Sequence, residues 1–342
     1  MNEPIRQAVL KVEDALSAET VQRILEGMAG KSRLHLARAI SMVEDEAPGA
    51  AEVLSMAYRN RKGASVVGIT GAPGVGKSTL VDAMIGALRS RGRSVGVIAV
   101  DPSSPFTGGA ILGDRVRISS ERGTDAGVFF RSLATRGHLG GVSRHTGDVI
   151  ALMDAFGFDD ILVETVGAGQ SEVDIMRYAH TVVVVLSPGM GDDVQAIKAG
   201  ILEIGDVFCV NKADLPGADR TRREIEAMLS IKEVDGWRPP VIETVAVSPG
   251  HTGVEDLVSA VSSHRDYLKS SGLLEAKRLQ GYRAVIEEYL RFLTVDRIMR
   301  DAESDGSLSA KLNALAKGAA APLELAWGMV ADFLTRGGGR SV

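Results

Sequence analysis

The stretch from Gly68 to Leu88, "GITGAPGVGKSTLVDAMIGAL", narrows the possible folds more than any other part of the chain. An apolar run, "SVVGIT", leads into it, and an amphipathic segment leads out of it. Between them stands G-x-x-x-x-G-K-[ST], written here as Gly71, Ala72, Pro73, Gly74, Val75, Gly76, Lys77 and Ser78, followed by Thr79. Glycines at this spacing let successive backbone N–H groups curl around phosphates, and the helix N-terminus adds partial positive charge. Lys77 is placed to reach the β- and γ-phosphates, and the Ser78 hydroxyl to ligate Mg²⁺. A loop of this kind belongs between a strand and a helix of an α/β sheet.

The rest of the chain agrees with that placement. Short apolar runs recur from Ala64 onward: "SVGVIAVD", "GVFFRS", "DDILVET", "TVVVVLS", "DVFCVNK" and "PVIETVA". Amphipathic stretches long enough for helices separate most of them. Continuous β-branched runs alternating with helices predict a mostly parallel, doubly wound sheet covered on both faces. Residues 1–62 read as a helical arm, 63–263 as the nucleotide domain and 264–342 as a helical extension. "AETVQRILEGMA" and "APLELAWGMVADFLTR" carry the three-and-four spacing of helices at the two ends.

Composition excludes several classes. A net charge of −5 argues against a general nucleic-acid binder, which carries a basic excess. No apolar run approaches the roughly 18 residues a membrane span needs, and the N-terminus lacks a signal-peptide core. With a single cysteine, Cys209, no internal disulfide can form. The expectation is a cytoplasmic protein with no membrane and no nucleic-acid partner.

A second motif names the base. "CVNKAD" sets Asn211, Lys212 and Asp214 at the end of a later strand. A carboxylate there accepts from N1–H and the 2-amino group of guanine, which adenine lacks, and an unpaired buried acceptor discriminates by roughly 10⁴. The nucleotide is therefore expected to be GTP or GDP. At the next strand end, Ala246, Val247 and Ser248 are candidates for a backbone N–H to guanine O6. Asp101 and Asp114 are acids that can hold Mg²⁺ waters or orient the attacking water, or simply cap helices. In "ETVGAGQSE" the acid is Glu164, and the first Gln after Gly167 is Gln170, three residues on rather than one. With the usual water-orienting Gln displaced, slow intrinsic hydrolysis, accelerated when a partner orders the loops, is the expectation.

The motifs "GITGAPGVGKST", "AVDPSSPFTGGAILGDRVR", "RSLATRGHLGG", "ETVGAGQSE" and "VNKAD", in this order, resemble the MeaB/MMAA (historically ArgK) family. These are SIMIBI-class G proteins that chaperone adenosylcobalamin-dependent acyl-CoA mutases. The resemblance implies that Ser78, Asp101, Asp114 and Glu164 form the Mg²⁺ and water shell, with Lys77, Asp101 and Glu164 catalytic. It implies switch loops over Asp101–Asp114 and Glu164–Glu172, and a further loop, with Asp192, Gln195 and Lys198, that signals to the mutase. It also implies a homodimer built through the C-terminal extension. Competing readings are a phosphoryl-transferring transport-system kinase, a metal-delivery GTPase of the same class, and a signal-recognition GTPase. His138, Arg131 and Arg136 read as loop or solvated positions, or as phosphate-side arginines.

Overall fold

The computed structural model describes residues 18–101, 125–134, 145–165, 175–189, 201–231, 236–247 and 252–337. Asp114, Asp192, Gln195, Lys198, Ser248, Arg136 and His138 lie outside the described residues. Asp101 is described in its backbone only.

Seven strands form one sheet: β1 (Ser65–Thr70), β2 (Val95–Asp101), β3 (Val128–Ala134), β4 (Asp160–Glu164), β5 (Thr181–Leu186), β6 (Val207–Asn211) and β7 (Val241–Thr244). Their order is β3-β2-β4-β1-β5-β6-β7. Every pairing is parallel, with Gly68 opposite Val163 on one side of β1 and Val182 on the other. The sheet is therefore the parallel one that the apolar runs predict. β1 is buried at all six positions, as a central strand covered on both faces must be.

Two apolar layers do the covering. On one face, helical residues 18–29 (α1), α2 (Arg33–Glu44), α3 (Ala50–Arg59), α5 (Thr146–Phe156) and α6 (Ala218–Ser230) bury Ile24, Leu36, Ile40, Val53, Leu152, Phe156 and Ile225 against Ile161, Val182 and Phe208. On the other, α4 (Lys77–Ser90) and α7 (Val254–Ser270) bury Leu80, Met84, Ile85, Leu257 and Val258 against Val67, Ile69 and Val183. Each such side chain contributes about 1.5–3 kcal/mol, so the helical arm is built into the core. Arg131 belongs to this packing: its Nε donates to Glu44 at 3.0 Å and its Nη2 to Ser41 at 3.0 Å. It ties β3 to α2, and is neither a solvated residue nor a phosphate contact.

The chain divides into two compact units, Met1–Tyr282 and Arg283–Val342. α7 runs continuously past Ser263, and α8 (Leu273–Arg291) crosses from the first unit into the second. The second unit is helical: a π-turn at Phe292–Asp296, then α9 (Arg297–Ser304), α10 (Ser307–Ala316) and α11 (Pro322–Gly337). Its apolar side chains Leu312, Leu323, Trp327 and Leu334 are all exposed. No helix of the described residues is long and apolar enough to cross a membrane.

Candidate functional site

Because all seven strands are parallel, their carboxyl ends share one edge, where open α/β sheets hold their ligands. The loop after β1 lies at that edge and turns into α4. Gly71 and Gly76 are required by contact as well as by conformation. A Cβ on Gly71 would lie 2.1 Å from the Val185 carbonyl oxygen of β5, and one on Gly76 would lie 2.6 Å from Asn211 Nδ2. Both have positive φ, as does Gly74, where a Cβ would meet nothing within 4 Å. The loop is thus pressed against β5 and β6 on its inner side and open at Gly74. An open cradle of backbone N–H groups fits a polyphosphate.

The side chains around this loop converge. Lys77 is buried, and its Nζ donates to Gly71 O at 2.6 Å and Ala72 O at 3.0 Å. These bonds hold the ammonium against the loop that would receive the phosphates. Ser78 Oγ donates to Glu164 Oε1 at 2.5 Å, across 86 positions of sequence. A hydroxyl and a carboxylate in contact supply hard oxygen donors of the kind Mg²⁺ takes, and Mg²⁺ usually keeps waters and phosphate oxygens as its remaining ligands. Thr165 closes the floor: its hydroxyl donates to Thr70 Oγ1 at 3.1 Å and its N–H to Ile69 O at 3.1 Å.

The base-reading segment is bound to the same loop. Asn211, buried at the end of β6, donates from Nδ2 to Val75 O at 2.9 Å. Its Oδ1 accepts from Thr244 Oγ1 at 3.1 Å, and Thr244 Oγ1 contacts Cys209 Sγ at 3.1 Å. Lys212 has φ +58, a left-handed backbone unusual outside glycine, and its Nζ donates to Gly74 O at 2.7 Å. Such a conformation costs of the order of 1 kcal/mol and persists where the surroundings over-determine it. It lays the Lys212 side chain over the loop and leaves Asp214 exposed, two residues on. Ala213 N–H donates to Thr244 O at 3.0 Å, joining the ends of β6 and β7.

After β7 an isolated antiparallel bridge, Val245 with Thr252, closes a short loop from the sheet edge. Within it Ala246 is buried and Val247 exposed. The structure therefore brings the phosphate loop, Ser78, Glu164, Asn211, Lys212 and the start of the 246–248 loop to one edge. The support of Asn211 by Thr244, and the Thr165–Thr70 contact, were missed by motif reasoning. A hydroxyl two positions before Ala246 was the signal available.

Cys209, in contrast, belongs to the apolar layer under α4 and α7. It is fully buried, and burial pushes its thiol up to about 12, partly offset by the Thr244 contact. Thiolate is the metal-binding form, and here it is disfavoured.

The fold and this edge define a P-loop GTPase. Comparison with known proteins places it more narrowly. Residues 36–305 match the family described as "Methylmalonyl Co-A mutase-associated GTPase MeaB". A putative GTPase of Pyrococcus abyssi is 49% identical over 275 residues, covering 79% of this chain and 83% of the relative. The mitochondrial methylmalonic aciduria type A homolog of Mus musculus is 34% identical over 277 residues, 75% of this chain and 66% of the relative. The crystal structure of an LAO/AO transport system kinase superposes with a TM-score of 0.68 at 25% identity, covering 94% of this chain and 98% of that one. The chain belongs to the MeaB family of GTPases.

Proposed function

We propose that this GTPase is a chaperone of an adenosylcobalamin-dependent acyl-CoA mutase, in which GTP binding and hydrolysis gate cofactor loading and protection of the mutase. The observation that carries the nucleotide half is the 2.5 Å contact of Ser78 with Glu164 beside the buried Lys77. The mutase half is supported by the family's description and by the name of the mouse relative.

In this reading the loop N–H groups and the α4 N-terminus bind the phosphates, and Lys77 neutralises charge that develops between β- and γ-phosphates. Bound Mg²⁺ would supply electrostatic stabilisation of the phosphate oxygens. Ser78 would hold it, Glu164 would accept from one of its waters, and Asp101 and Asp114 would complete the shell. Asn211 keeps the phosphate loop closed on β6, Asp214 reads guanine, and one of Ala246, Val247 or Ser248 offers the O6 contact. Intrinsic turnover is slow and rises when the mutase orders the loops. Asp192, Gln195 and Lys198, which follow β5 in the sequence, carry the signal. The protein works in the cytoplasm as a homodimer, and the exposed Leu323, Trp327 and Leu334 of α11 support a subunit contact there.

Capture from native lysate with a non-hydrolysable GTP analogue, followed by mass spectrometry, tests the partner. The mutase should be recovered and should accelerate hydrolysis by the wild type but not by Lys198→Ala, whose intrinsic rate stays unchanged. A phosphorylated acceptor protein and no mutase would favour the transport-kinase reading instead.

A further inference from the structure

Two lysines meet far from the phosphate loop, at the carboxyl end of α5. Gly157 ends that helix in the left-handed region at φ +98. A Cβ placed there would lie 2.6 Å from Lys31 Nζ and 2.9 Å from Lys62 Nζ, so both amines face one point. Each side chain is fixed from its base. Lys31 closes α1: its N–H donates to Met28 O at 3.0 Å, its φ is +62, and Ser32 N–H donates to Gly27 O at 2.9 Å. Lys62 is anchored by its own N–H to Asp154 Oδ1 at 3.0 Å.

Lys31 Nζ donates to Phe156 O and stands 5.1 Å from the centre of the Phe156 ring. Both lysines are exposed residues, so small molecules can reach them. Two like charges held together this way are unusual on a surface where each could swing into solvent. Proximity of a second cation is one of the standard ways in which a lysine becomes a nucleophile at neutral pH.

We propose that Lys31 is a modification site, where its amine, set beside Lys62 at the Gly157 turn, takes an acyl group from acyl thioesters. The neutral Nζ adds to the thioester carbonyl carbon. The C–N bond forms, the C–S bond breaks, and the sulfur leaves as thiolate and takes the proton released by nitrogen. The products are an amide and a free thiol, and no oxidant or further reactant is needed. Burial and then Lys62 hold the Lys31 ammonium below the usual lysine range, against the attraction of Asp159. The fraction of free amine is therefore raised. The Phe156 ring offers an apolar wall for the incoming chain. Acylation removes one of the two facing charges and the charged donor that Lys31 presents to Phe156 O. This inference is independent of how the nucleotide edge is read.

The test is incubation of the full chain with acetyl-CoA near neutral pH, with site-resolved mass spectrometry over time. Lys269, in α7, and Lys317, just past the end of α10, are both exposed and serve as references. Lys31 should acetylate severalfold faster than either, and Lys62→Met should slow it toward their rate while circular dichroism stays native. Lys31 reacting no faster than the references, or a Lys31 rate unchanged in Lys62→Met, would overturn the proposal.

Discussion

Among the described residues, both edges of the one sheet carry hydrogen-bonded polar side chains and use them in opposite ways. At the amino edge the groups satisfy one another. Asp206 Oδ2 accepts from Val182 N–H at 2.8 Å, its carbonyl accepts from Trp237 Nε1 at 2.8 Å, and its Oδ1 lies 3.5 Å from His264 Nε2. His264 Nδ1 meets Thr181 Oγ1 at 2.9 Å, and His180 Nδ1 accepts from Val66 N–H at 3.2 Å. At the carboxyl edge Lys77, Asn211 and Lys212 spend their hydrogen bonds on carbonyls of a single loop. The first pattern locks strand ends to α7. The second shapes a loop around space for phosphates. Polarity alone does not mark a site in this protein. What marks it is side chains from the start of α4 and the end of β6 converging on the backbone of one glycine-rich loop.

The largest effect that would break this comparison lies at the carboxyl edge. Lys77→Ala should lower GTP turnover on the order of 10²–10³-fold, since it removes a cation from charge that develops during transfer. The variant should still fold, because the Lys77 bonds are to its own loop. Phosphate release at the wild-type rate would show that the loop is not the reacting site.

At the amino edge the expected effect is on stability and depends on pH. Burial, helped by Arg278 and Lys277, pushes His180 down to about 4 from an ordinary 6.5. The folded state therefore disfavours the protonated ring. The stability His180 contributes is complete above pH 6.5 and is lost as pH falls toward 4, amounting to at most about 3 kcal/mol. His180→Asn keeps an acceptor for Val66 and cannot titrate, so its denaturant midpoint should fall less steeply over that window. An identical slope in the two proteins would remove His180 from the acid sensitivity. Turnover at neutral pH should not change in either case.

A smaller effect joins the two halves of the site. Asn211→Ala removes a buried bond to Val75 O, worth about 1–3 kcal/mol when one partner is left unsatisfied. Guanine nucleotide affinity should fall roughly tenfold through a loosened phosphate loop. Calorimetry giving unchanged affinity would mean that the loop holds its shape without β6.

Much of this was legible in the chain itself, for physical reasons. Central strands such as "TVVVVL" are buried on both faces, so they lose alternation and become continuous apolar runs. The phosphate loop is local, and its glycines, lysine and serine sit within eight positions. Contacts between distant positions leave no such trace. Nothing near Arg131 announces Glu44, 87 positions earlier, and nothing near Lys212 announces a left-handed backbone. The compact unit ends at Tyr282 inside α8, where helical spacing continues unbroken and no composition change marks it. A boundary of that kind is set by which residues touch, not by which residues they are.

The central claim is that the carboxyl edge is built for a guanine nucleotide, with the phosphate loop and Asp214 acting together. Titration of the wild-type protein with GDP, GTP and ATP in a calorimeter, repeated on Asp214→Asn, tests it most directly. The account predicts micromolar or tighter binding of both guanine nucleotides, far weaker binding of ATP, and loss of that preference in Asp214→Asn. Equal affinity of the wild type for ATP and GTP, or a preference untouched by Asp214→Asn, would contradict it.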